Sequence, residues 1–180
     1  MNLGAAVRTC LGKYVTFSGR ASRPEYWLFF LFVVIVGVLA GIIDWSLFGR
    51  SVTDDAAGTA IYSLDRQPVS SLATIALFLP HFAAAWRRMQ DTGRSGIYVL
   101  LPSLISFAAL AIAAFGLGLA DIATGRLDSL LTSATLLMLI PLLILGFLSP
   151  LIVFIWLTRP SQPGANTYGP NPHDMTGGAH

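Results

Sequence analysis

Four long apolar stretches, at 26–48, 69–86, 97–120 and 130–157, constrain this chain more than any other feature. About 20 apolar residues at 1.5 Å rise span a hydrocarbon core of roughly 30 Å. In lipid every backbone amide needs an internal partner, so each stretch is expected to be a helix. The expected fold class is all-α: a bundle of four transmembrane helices forming one domain, 1–172, followed by a disordered tail, 173–180. With 180 residues in all, four spans leave no room for a separate soluble domain. The lone Cys10 excludes an internal disulfide.

Charge is sorted across these spans. The amino terminus, the loop 87–96 and the tail from 158 fall on one side. They carry eight basic residues: Arg8, Lys13, Arg20, Arg23, Arg87, Arg88, Arg94 and Arg159. The other side carries three, Arg50, Arg66 and Arg126. Lys and Arg accumulate in short cytoplasmic loops, so both termini are expected to be cytoplasmic and the loop 49–68 external. Trp27, Trp86 and Trp156 fall at the basic ends of spans one, two and four, and Trp45 falls near the opposite end of span one. Indole prefers that interface because its ring is apolar while its N–H needs a partner. A cleaved signal peptide is the competing reading of span one, but some 25 residues precede the apolar run, so an uncleaved helix is expected.

Span four is long for one crossing. Pro141 and Pro150 suggest a single tilted, kinked helix, and Pro80 should bend span two. Gly37 and Gly41 form a G-x-x-x-G pair in span one, suited to close packing inside the bundle or to a homodimer. Leu3, Val7, Cys10, Leu11, Tyr14 and Phe17 recur at helical spacing, which predicts a short amphipathic helix on the basic-side membrane surface.

Three polar motifs fall on the basic side. The first is Phe17-Ser18-Gly19-Arg20-Ala21-Ser22-Arg23-Pro24-Glu25-Tyr26-Trp27. Pro24 and Glu25 suit a helix's first turn, with Ser22 or Arg23 as cap. The second is Arg87-Arg88-Met89-Gln90-Asp91-Thr92-Gly93-Arg94-Ser95-Gly96. Asp91 is within helical reach of either preceding arginine, Gly93 can end span two, and Ser95 can cap span three. The third is Gly164-Ala165-Asn166-Thr167-Tyr168-Gly169-Pro170-Asn171-Pro172, a run of turn formers around one tyrosine that is expected to fold back onto the basic loop. There Tyr168 would stack on an arginine or bond Asp91.

Together these motifs resemble domain-of-unknown-function family 805, with its pattern F-x-G-R-x-S-R-x-E-Y/F-W, then R-R-L-H-D-T-G-R-S-G-W, then G-x-N-R-Y-G-P-D-P. Here Gln90 replaces a common His, Ile97 or Tyr98 a common Trp, and Thr167 and Asn171 the usual Arg and Asp. The resemblance implies a bacterial inner-membrane bundle and no particular chemistry. The missing His argues against a proton-relay or metal role at position 90.

No catalytic constellation is visible. Asp91-Thr92-Gly93 is a single aspartic-protease tripeptide, where that chemistry needs two. Gly93-Arg94-Ser95-Gly96 lacks the lysine and spacing of a P-loop. No set of His, Cys and carboxylate has metal spacing, no cofactor is implied, and nothing points to nucleic acid. His81 is the one intramembrane polar candidate. Its expected partner is the backbone carbonyl that Pro80 frees. The leading expectation is a non-enzymatic protein whose basic, aromatic face binds anionic lipid headgroups or a protein partner through Arg20, Arg23, Arg87, Arg88 and Arg94. On the competing view those arginines, Glu25, Asp91 and Tyr168 only clasp the helix ends together. The alternative function is a small transporter or channel using His81 and the proline-bearing spans two and four.

Overall fold

The computed structural model describes residues 1–54, 59–64, 67–124 and 133–172. The expected disorder of 173–180, with His173 and His180, and the start of span four at 130–132 lie outside the described residues, as do Arg66 and Arg126.

The fold is helical. Helix α1 (Leu3–Gly12) precedes α2 (Arg23–Phe48), α3 (Pro68–Asp91), α4 (Leu101–Thr124) and α5 (Ser133–Thr158). Among the described residues four helical segments are long and apolar enough to cross a membrane: Arg23–Phe48, Pro68–Asp91, Gly96–Ala114 and Leu139–Thr158. The connection after α2, read from sequence as a loop, contains two antiparallel strands. Strands β1 (Gly49–Asp54) and β2 (Thr59–Leu64) pair from Gly49 opposite Leu64 to Asp54 opposite Thr59. β-branched and aromatic residues such as Val52, Thr53, Ile61 and Tyr62 suit strands.

Local chemistry accounts for the boundaries. Asn2 caps α1 by accepting from the Ala5 amide at 2.8 Å. Ser22 caps α2, its hydroxyl accepting from the Glu25 amide at 3.3 Å. Helix α3 begins at Gln67-Pro68 with no side-chain cap of its own. Asp44, buried near the far end of α2, supplies one from across the bundle. Its two carboxylate oxygens accept from the amides of Val69 at 3.0 Å and Ser70 at 2.7 Å. The span predicted to start at 97 opens as a 3₁₀ turn, Gly96–Leu100. Pro102 cannot donate to the Tyr98 carbonyl, and the Leu101 amide takes that acceptor instead.

The other helical prolines also leave a carbonyl free four residues back, and two of these are satisfied by hydroxyls. Pro150 frees Gly146, whose oxygen accepts from Ser149 Oγ at 3.1 Å. Pro80 frees Ala76, whose oxygen accepts from the Tyr14 hydroxyl at 2.5 Å. This corrects the expectation for His81. The carbonyl next to it is taken by Tyr14, and His81 Nδ1 is enclosed without a partner among the described residues.

The buried core lies at one end of the bundle. Tyr26 and Phe29 of α2, Ala84, Ala85 and Met89 of α3, and Val153 and Leu157 of α5 pack together there with Cys10 of α1. Phe17 docks edge-on against Phe82 and Trp86, with ring centroids 5.9 and 5.8 Å away. Away from that end most of the large side chains described on α2, α4 and α5 are exposed, as helices surrounded by hydrocarbon require.

Candidate functional site

At the core end, the segment before α2, the α3 terminus and the chain after α5 converge on Asp91, which has no exposed surface. Its Oδ1 accepts from Arg20 Nε at 2.8 Å. Its Oδ2 accepts from Ser161 Oγ at 2.5 Å and pairs with Arg88 three residues earlier. Its backbone carbonyl accepts from the Gln162 amide at 2.8 Å. One carboxylate thus joins three separate pieces of chain.

Arg20 is saturated. Besides Asp91 Oδ1, its guanidinium reaches the carbonyls of Gln162 and Gly164, both at 2.6 Å, Gly169 at 3.4 Å and Asp91 at 3.5 Å. Five N–H groups in a rigid fork meet acceptors from both neighbouring segments, an arrangement lysine has no geometry to reproduce. Arg88 caps the carboxyl end of α5 through the Leu157 carbonyl at 3.0 Å and the Arg159 carbonyl, where a cation also opposes the helix dipole. Arg23, on the surface, donates to the same Arg159 carbonyl at 2.9 Å.

Arg87 belongs to a second, smaller cluster. It pairs with Glu25 at 2.8 Å, and Glu25 also faces the Cys10 thiol, 3.9 Å from its Oε1. Burial, reinforced by the Glu25 charge, pushes the Cys10 thiol up to about 11. Arg87 Nε and Nη2 have no partner among the described residues.

The turn between α3 and the 3₁₀ turn is shaped by two glycines. Gly93 adopts a φ of +79°, which side chains other than glycine rarely tolerate. At Gly96 a Cβ would fall inside the Trp86 indole. Arg94 lies over the Trp156 ring, 5.1 Å from its centroid, and Tyr98 meets the same ring edge-on at 5.4 Å.

The turn 166–172 folds back onto this loop, but through Asn166. Its side-chain amide donates to the Gln90 carbonyl at 3.0 Å, and its Oδ1 accepts from the Tyr168 amide at 2.8 Å. The oxygens of Asp91 are occupied by Arg20, Arg88 and Ser161, so the expected bond from the Tyr168 hydroxyl gives way to theirs.

The structure therefore brings Arg20, Arg88 and Asp91 together and pairs Arg87 with Glu25. It leaves Arg23 and Arg94 nearer the surface and sets His81 apart within the bundle, stacked with Tyr26 at 5.8 Å and against Phe30 at 5.7 Å. This corrects one expectation. Arg20, Arg87 and Arg88 are 7%, 0% and 0% exposed, and they face internal acceptors rather than an approaching headgroup. Sequence reasoning missed the capping role of Asp44, which it read as an interfacial anchor, the contacts of Ser161 and Gln162, and the place of the exposed Arg159, which it only counted among the basic residues. Only the capless Gln67-Pro68 start of α3 hinted at the first.

Two hollows flank the segment 160–163. One, about 510 Å³, is lined by Arg94 and Arg159 with Thr92, Gly93, Ser161 and Gln162. The other, about 400 Å³, is lined by Arg23, Pro24, Ser161 and Asn171. Among the described residues neither lining contains an acidic side chain. Among the described residues no group of three or more His, Cys, Asp or Glu is placed to hold a metal.

The family model described as "Protein of unknown function (DUF805)" matches residues 14–170, and the chain belongs to that family. It is 41% identical over 91 residues to Inner membrane protein YhaI of Escherichia coli (strain K12), a match covering 51% of this chain and 64% of that relative. It is 28% identical over 162 residues to Inner membrane protein YhaH of the same strain, covering 90% of this chain and 91% of the relative. No solved structure matches.

Proposed function

We propose that this DUF805 member is a non-enzymatic, multi-pass protein of the bacterial inner membrane, with both termini cytoplasmic, whose basic face binds anionic lipid headgroups. The named relatives support the location, and the eight-to-three split of basic residues supports the orientation. The observation that carries the binding reading is the division of the arginines. Arg20, Arg87 and Arg88 are held inside by Asp91, Glu25 and main-chain carbonyls. Arg23, Arg94 and Arg159 line hollows around residues 160–163 whose described residues include no acid.

Trp156 and Tyr98, beside Arg94, are the aromatic types that settle at headgroup depth. The buried clasp then acts as the frame and the three outer arginines as the contacts. A basic side chain near an anionic leaflet gains about 1 kcal/mol, so three favour an anionic over a neutral lipid by on the order of a hundredfold. The transport reading draws less support, because His81 lines an apolar groove among aromatic rings.

Native mass spectrometry of the full chain, released from bilayers of equal phosphatidylglycerol and phosphatidylcholine, tests the proposal. Retained phosphatidylglycerol is expected, with most of it lost in Arg94→Ala/Arg159→Ala. Equal retention of both lipids, or a double variant that behaves as wild type, refutes it.

A further inference from the structure

Pro160, Ser161 and Pro163 line both hollows of the basic face, so the segment 160–163 is the ridge between them. The clasp pins that ridge from beneath. Ser161 Oγ donates to Asp91 Oδ2, the Gln162 amide donates to the Asp91 carbonyl, and Arg20 holds the Gln162 and Gly164 carbonyls at 2.6 Å each. Pro160 and Pro163 fix two of its φ angles. Arg94 and Arg159 line the hollow on one side, and Arg23 lines the other. Arg23 Nε donates to the Arg159 carbonyl at 2.9 Å, so the cation of the second hollow stands against the main chain of a residue that lines the first. The acids described at this end are already engaged, Glu25 with Arg87 and Asp91 with Arg20 and Arg88. Arg23 and Arg94 donate to main-chain carbonyls, those of Arg159 and Thr92, which leaves their charge uncompensated.

We infer that the two hollows together take one lipid bearing two phosphates on a glycerol bridge, with one phosphate at Arg94 and Arg159 and the other at Arg23. The inference rests on the anionic-lipid reading above and narrows it to one lipid class. Charge, spacing and depth select that class. Three cations on one ridge suit a headgroup with two negative charges better than a headgroup with one. Two cationic sites at a fixed separation favour linked anions, because the second contact is then made within the same molecule. A ridge already pinned by the clasp loses little freedom when it binds. Three bonds of extended chain span about 3.8 Å, so the six bonds from phosphorus to phosphorus across glycerol span about 7.5 Å. That is enough to straddle one backbone segment, which occupies about 5 Å beside a neighbour. Trp156 and Tyr98 beside Arg94 place the site at headgroup depth, which favours a membrane lipid over a soluble diphosphate.

Native mass spectrometry of the full chain, released from phosphatidylcholine nanodiscs carrying cardiolipin or phosphatidylglycerol at equal total phosphate, tests this. Cardiolipin is expected to be retained about fivefold or more over phosphatidylglycerol per phosphate. Arg23→Ala should bring the two lipids to parity at an unaltered melting temperature. Arg23→Lys keeps the cation and should keep most of the preference. Phosphatidic acid, which carries its charge on a single phosphate, should displace cardiolipin no better than phosphatidylglycerol does. Equal retention of cardiolipin and phosphatidylglycerol per phosphate, with both above phosphatidylcholine, overturns the inference and leaves the anionic-lipid reading standing. Retention of neither above phosphatidylcholine overturns both. The inference also fails if Arg23→Ala leaves the preference intact, if Arg23→Lys loses it as fully as Arg23→Ala, or if phosphatidic acid displaces cardiolipin as well as unlabelled cardiolipin does.

Discussion

Replacing Asp91 with alanine removes the anion that two buried guanidiniums share. Arg20 Nε loses its partner at 2.8 Å, Arg88 loses its carboxylate, and Ser161 loses its acceptor at 2.5 Å. Breaking a buried ion pair from one side costs about 3–5 kcal/mol, because the remaining charge stays buried without compensation. The two pairs are not independent, since one carboxylate serves both, so the loss is not simply doubled. Arg20 and Arg88 also keep their main-chain acceptors, Gln162, Gly164 and Leu157, which hold the guanidiniums in place. At about 2–4 °C per kcal/mol for a chain of this size, the melting temperature in detergent should fall by on the order of 10 °C. Fluorescence-detected size exclusion after a temperature series reads this directly. Asp91→Asn, which keeps the shape and loses the charge, should fall between wild type and alanine. A melting temperature of Asp91→Ala within about 2 °C of wild type refutes the claim that this carboxylate joins the three segments.

Other consequences are equally concrete. Tyr14→Phe removes one hydrogen bond, worth about 1 kcal/mol, and re-exposes the carbonyl that Pro80 frees; hydrogen exchange across α1 should accelerate severalfold. The Cys10 thiol, pushed up from 9.0 to about 11, should react with maleimide at pH 8 on the order of a hundredfold more slowly than in the unfolded chain. The sign for stability follows from the same shift. The folded thiol keeps its proton to higher pH than the unfolded one, so its contribution is full below pH 9 and is lost as pH rises through 11; Cys10→Ala should flatten that decline in an alkaline melting series. Gly96→Val should lower the yield of folded protein sharply, because its side chain would occupy the Trp86 indole, and Trp86→Ala should recover part of the loss when the two are combined.

Much of this molecule is legible in the order of its residues, because the bilayer is an unusually strict solvent. Runs of apolar residues of that length have one way to satisfy their amides, so the four helices follow from hydropathy alone. The helix ends follow from short-range chemistry that needs no tertiary information: Ser22 three residues before Glu25, Gly93 after Asp91, Ser95 before Ile97. The same is true of the tail turn at 166–172, where Asn, Gly and Pro leave few other conformations. Charge patterning also placed Arg20, Arg23, Arg87, Arg88 and Asp91 on one side of the spans.

Which of those arginines belongs to the interior was decided only when the three segments met. Spacing along α3 allowed Arg87 and Arg88 equally to reach Asp91. Arg88 takes it because it also faces the carboxyl end of α5, while Arg87 turns toward Glu25 beneath α1. Asp44 as the cap of α3, and Tyr14 as the partner of the Ala76 carbonyl, join residues 25 and 62 positions apart. His81 shows the same limit: sequence offered it the nearest free carbonyl, and tertiary packing delivered a tyrosine hydroxyl there first. Hydrophobic and propensity signals act over a few residues and can be read along the chain. A buried polar atom takes whichever partner the assembled helices bring within about 3 Å, and that distance exists only in the folded molecule.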